Sequence, residues 1–178
     1  MSANGQQSSD PTTTSTPLAA LTKGAADRPE SRVLDALVGD WQVRATWEPI
    51  PGGGVQDIEA TTHTEWILGG RVLESRSTNP DGIETTRVLF AFDPIVGDYT
   101  AYSVTMLSTY FVLERGRHDP GARTLVFDAC EPVPDGPAVA YRRNIHLLGD
   151  DRYDMFVSYP GVPEGTYGAM FIHHERIG

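Results

Sequence analysis

Along this chain the spacing of apolar positions changes period once. Between Glu30 and Val38, the side chains Val33, Leu34, Leu37 and Val38 fall on one stripe, at i, i+1, i+4 and i+5, and Gly39 is a natural stop. That spacing predicts one short helix. Beyond Gly39 the period is two. Trp41, Val43, Ala45 and Trp47 alternate with Gln42, Arg44, Thr46 and Glu48, and Ile58, Ala60, Thr62, Thr64 and Trp66 repeat the pattern on the next run. Each run reads as a strand with one face turned to a core.

Breakers punctuate the remainder at Pro51–Gly54, Leu68–Gly70, Asn79–Gly82, Asp93–Gly97, Leu107–Thr109, Asp119–Gly121, Glu131–Pro137, Gly149–Asp151 and Pro160–Gly165. These nine connections separate ten predicted strands, each roughly five to ten residues long. Connections this short favour antiparallel neighbours, because a parallel crossover needs about a dozen residues. A long meander escapes exposed edges by closing on itself. The expected fold is all-β: an up-and-down antiparallel barrel of about ten strands after one short helix. A barrel of that width holds a small ligand unless side chains fill it.

The 178 residues suit one domain, with 39% apolar and 21% charged side chains. Residues 1–29 carry nine Ser or Thr and only Met1, Leu18 and Leu21 as large apolar groups, which predicts a disordered polar tail before a barrel domain over 30–178. The net charge of −10 argues against nucleic acid and anionic membrane surfaces as partners. A single cysteine, Cys130, excludes an intrachain disulfide. No apolar run approaches the roughly 20 residues that span a bilayer, and the first residues lack a secretory pattern, so a cytoplasmic setting is expected. A homodimer stays open.

Several runs together carry a family resemblance: Leu37–Val38–Gly39–Asp40–Trp41, then Glu65–Trp66–Ile67–Leu68–Gly69–Gly70–Arg71–Val72–Leu73, then Phe90–Ala91–Phe92–Asp93 and Tyr99. Gly-x-Trp followed by Trp-x-Leu-Gly-Gly-Arg resembles the domain-of-unknown-function 1579 (DUF1579) family, a lipocalin-like group akin in shape to fatty-acid-binding proteins and nitrobindins. The resemblance covers about Asp35 to Arg176. It implies a lipocalin-like barrel with Trp41 and Trp66 as plugs near one end, and it supplies no settled reaction. Where members usually carry an aromatic-x-Asp pair, this chain has Ser103–Val104–Thr105, which implies a reshaped pocket.

Arg143 is the most informative single residue. On the run Val139–Leu147, the odd positions Val139, Tyr141, Ile145 and Leu147 form the apolar face with Arg143 in its middle. A guanidinium turned inward needs an acid or a bound anion. Two readings follow: an anchor for a carboxylate, phosphate or enolate, or a buried ion pair with Glu74 or Glu114. Either carboxylate is a candidate general base if burial raises its pKa, and Glu74, directly after the Gly-Gly-Arg motif, is the favoured one. His174 shares parity with Met170 and Ile172, so it is expected to face inward as an acid, a base or a packed core histidine. Its neighbour His173 points to the other face, and so the pair is not a chelate. His63 and Glu65 are expected to face solvent.

The expected catalytic set is therefore Arg143, Glu74 and His174. The expected ligand-binding set is Trp66, Thr64, Tyr102, Tyr110, Tyr141, Phe90, Met155 and Tyr159, with no metal and no cofactor. Walker, Rossmann and nucleophile-elbow patterns are absent from the sequence, which disfavours nucleotide enzymes and nucleophilic hydrolases. Three functions remain. One is a carrier or sensor for a small hydrophobic molecule. Another is a cofactor-free isomerase, cyclase or hydratase of secondary-metabolite biosynthesis. The last, by resemblance, is haem binding of the nitrobindin kind through His174.

Overall fold

The structure, a computed structural model, describes residues 28–49, 52–132, 136–162 and 168–178. The expected tail lies outside them, save Arg28 and Pro29. The helix starts at Pro29, whose fixed φ suits a first helical position, and it changes type after one turn: α1 (Pro29–Arg32) is α-helical and η1 (Val33–Leu37) is a 3-10 helix. The tighter winding stacks residues three apart, and so Leu34 and Leu37 present one face, both essentially fully buried.

Ten strands follow: β1 (Gly39–Trp47), β2 (Gln56–Ile67), β3 (Val72–Thr78), β4 (Glu84–Asp93), β5 (Asp98–Thr105), β6 (Val112–Asp119), β7 (Thr124–Glu131), β8 (Val139–Leu147), β9 (Arg152–Ser158) and β10 (Met170–Arg176). Each pairs antiparallel with its sequence neighbour, and β1 pairs with β10, with Trp41 opposite Arg176 and Trp47 opposite Met170, so the sheet closes into a barrel. Alternation decides what faces in. Trp41, Val43 and Ala45 are buried on β1, Ala60, Thr62 and Thr64 on β2, and Tyr141, Arg143, Ile145 and Leu147 on β8. No helix of the described residues is long and apolar enough to cross a membrane.

The helical segment closes one end of the barrel, and the two signature motifs meet there. Trp41 donates its indole N–H to the Leu37 carbonyl at 2.9 Å, and Trp66 donates to Asp35 Oδ1 at 2.7 Å. The Tyr99 hydroxyl donates to the Glu30 carbonyl at 2.7 Å. Gly39, at φ +130°, makes the corner from η1 into β1, and the Arg176 side chain occupies the space a Cβ would need. Arg176 donates to the carbonyls of Val38 and Asp150 and lies over the Trp41 ring at 4.2 Å, a cation–π contact that ties β10 to the cap. The Leu68–Gly69–Gly70 run turns β2 into β3 through three successive left-handed residues, a conformation that glycine adopts at little cost.

Candidate functional site

Above this floor the inward side chains leave a cavity of about 550 Å³. Its walls are largely apolar and aromatic, with Val43, Ala45, Ala60, Val88, Phe90, Met155, Val157 and Ile172 among them. At the end away from the helix it is bordered by Trp47, Ile58, Asn79, Met106, Leu107 and Gly168. Small inward residues on β2, β3 and β5 leave this space. Thr62 and Ser77 share a hydrogen bond at 2.8 Å, and Ser103 and Thr105 stand on the cavity side of β5.

One wall is polar. Arg143 reaches from β8 past the intervening β7 to Glu114 on β6 and Ser103 on β5, and Gly116 of β6 makes room for the Phe127 ring of β7: a Cβ there would meet that ring at 2.5 Å. The guanidinium donates from Nη2 to Glu114 Oε1 at 2.8 Å and to Ser103 Oγ at 2.9 Å, and from Nε to the Tyr141 hydroxyl at 2.9 Å. Ser103 donates in turn to the same Oε1 at 2.6 Å. Glu114 is fully buried, and its Oε2 has no hydrogen-bond partner. Burial pushes the Glu114 carboxyl up, while Arg143 and Ser103 hold it back. Burial works to lower Arg143, but Glu114, Tyr141 and Tyr153 together outweigh it and the guanidinium stays charged. Tyr141 is pushed up to about 12, chiefly by burial. Of the two readings open for Arg143, the structure shows the buried ion pair, and the partner is Glu114.

His174 faces the cavity as expected. Burial lowers its imidazole to about 3, so it is neutral at physiological pH, and Nδ1 has no hydrogen-bond partner. Its ring stacks on Tyr153 at 4.0 Å, and Tyr153 meets Trp41 edge-on at 4.8 Å. His173 is exposed and pairs with Asp154 at 3.0 Å. His63, beside Asp40 at 2.6 Å, and Glu65 also lie on the outer face, as expected. At the mouth, Glu131 accepts from the Tyr110 hydroxyl at 3.2 Å and from the Tyr159 hydroxyl at 2.9 Å, one on each carboxylate oxygen.

Phe90, Tyr110, Tyr141, Met155 and Tyr159 line the cavity together with Arg143 and His174. Four other expectations need correction. Glu74 faces outward between Arg76 and Arg87, each at 3.3 Å, because Leu73 and Ser75 take the inward positions of β3. It is not a base for this cavity. Tyr102 is 49% exposed on the outer face of β5, where Ala101 and Ser103 point in. Thr64 and Trp66 face inward but below the chamber: Thr64 donates to Ser75 at 3.0 Å, and Trp66 is held by the cap. Glu131 and Tyr153 are among the lining residues outside the expected set. Glu131 shares parity with Leu125 and Phe127, and Tyr153 with Met155 and Val157, so alternation alone could have placed both.

A family model described as a protein of unknown function (DUF1579) matches residues 27–176. No curated protein matches the chain.

Proposed function

Since the chain belongs to the DUF1579 family, whose description assigns no chemistry, we propose from the cavity itself that the protein binds a small, largely hydrophobic organic molecule inside its barrel, as a carrier or sensor. The observation that carries this reading is the chamber of about 550 Å³. Ligand sites usually fall between about 300 and 1,000 Å³, and a well-packed core would leave no such space. Mostly apolar walls beside one polar cluster are also what a ligand with a single polar end requires.

The test is whether the space fills. Native mass spectrometry of the purified protein should reveal an adduct, and the neutral dye N-phenyl-1-naphthylamine should brighten on addition. An Ala60→Trp variant, which plugs the chamber from β2, should lose both signals while keeping a folded circular dichroism spectrum. A bare mass together with a dark dye for the wild type would defeat the proposal.

A cofactor-free isomerase, cyclase or hydratase using the same cavity is a second reading, favoured by the unpartnered His174 Nδ1 and by the Arg143–Ser103–Glu114 relay. A charged donor set in a water-poor wall could hold a developing oxyanion. Incubating the co-purified molecule with wild type and with Arg143→Ala separates the two readings. Turnover that disappears in the variant supports catalysis, and intact molecule in both samples supports the carrier.

A further inference from the structure

We infer that the molecule in the chamber is neutral and flat, and carries a carbonyl oxygen (a ketone, enone or quinone) that accepts a hydrogen bond from the Tyr153 hydroxyl, with Arg143 Nη1 as a second free donor of the chamber. This rests on the binding reading above and adds the chemical class to it.

Unused donors point that way first. Arg143 spends Nε and Nη2 on Tyr141, Ser103 and Glu114, and no hydrogen bond from Nη1 is formed among the described residues. Tyr153 lines the cavity on the neighbouring strand, and its hydroxyl likewise has no hydrogen-bond partner there, its ring being held by Trp41 and His174. A ligand without an acceptor would cover these donors and leave them unmet, which is costly, so a pure hydrocarbon fits this wall poorly.

Charge then excludes a free acid. Among the described residues that line the cavity, Arg143 is the one Arg or Lys, and Glu114 already neutralises it at 2.8 Å. A carboxylate ligand would set a second anion beside Glu114, with Glu131 at the mouth and no further cation to offset it. A cationic ligand would meet the guanidinium. A neutral oxygen with partial negative charge suffers neither penalty. Flatness follows from the stacked Tyr153–His174 pair and from the Phe90 and Tyr141 rings, which favour a planar partner.

Three probes with one body and different ends test this: 2-acetonaphthone, 2-naphthoate and 2-ethylnaphthalene, each competing against N-phenyl-1-naphthylamine on the full chain. The ketone should bind about tenfold tighter than either of the others, and Tyr153→Phe should weaken the ketone about fivefold while leaving 2-ethylnaphthalene unchanged. Tyr153→Phe keeps the ring and its packing, so the circular dichroism spectrum should not change. Preference for 2-naphthoate, equal binding of the hydrocarbon, or an unchanged ketone affinity in Tyr153→Phe would overturn the carbonyl assignment and leave the binding reading intact. So would failure of all three to displace a bound dye. If the dye itself does not bind, both fall.

Discussion

Glu114 has no exposed surface, and its hydrogen-bond partners among the described residues are the Arg143 guanidinium and the Ser103 hydroxyl. Removing one member of such a pair strands the other's charge or hydrogen-bonding capacity in a water-poor wall. Glu114→Ala should therefore cost about 3–5 kcal/mol in urea unfolding, while the apolar double replacement Arg143→Met/Glu114→Leu should recover most of the loss. Equal destabilisation of the single and double variants would show that the pair is not coupled. His174 gives a second residue-scale expectation. Burial holds it at about 3 in the fold against 6.5 for an ordinary imidazole. Between those values the unfolded chain takes up a proton that the fold refuses, so stability falls as pH drops from about 6.5 towards 3, by up to about 1.4 kcal/mol per pH unit. Glu114, raised by burial, works in the opposite direction, favouring the fold at low pH and losing that contribution as pH rises. Unfolding midpoints of wild type and His174→Phe, compared from pH 7 to pH 4, isolate the imidazole. The variant's profile should be the flatter one.

At the scale of single strands, β6 shows how a small residue sets the site. Gly116 lets the Phe127 ring lie against the strand, and a methyl group there would also press on the Val126 carbonyl at 2.8 Å. Gly116→Ala should destabilise by about 1–3 kcal/mol, read from thermal unfolding, because the Phe127 ring and the Val126 carbonyl must give way. Strands also show what the sequence could disclose. On β1, β2 and β8 large apolar groups alternate with polar ones, so Arg143 stood out as a polar group on an inward face. On β3 the inward residues beside the chamber are Ser75 and Ser77, since the wall must be thin there, and the apolar signal vanishes. Glu74 could not be assigned a face from its neighbours. On β5 both faces carry Tyr, Ala or Val, and so Tyr102 read as readily inward as outward. Thr64 and Trp66 had the right face, but parity says nothing about depth along the barrel. Distant pairs such as Glu131 with Tyr110 and Tyr159 depend on loops whose course no local pattern specifies.

For the whole molecule, ring closure is the organising fact. The helical cap seals one end through Trp41, Trp66 and Tyr99. Every strand has a hydrogen-bonded neighbour on each side, β1 and β10 included. Such a sheet has nowhere to begin peeling. Amide hydrogen exchange should report this as protection nearly level around the ring, surrendered mostly by wholesale opening rather than by fraying of a first or last strand. The earliest seam to give way should flank β6, which holds its neighbours by the two shortest ladders, Tyr99–Ser103 on Val112–Gly116 and Arg115–Asp119 on Thr124–Asp128. Rapid exchange confined to β1 and β10 would show instead that the circle has a weak weld there.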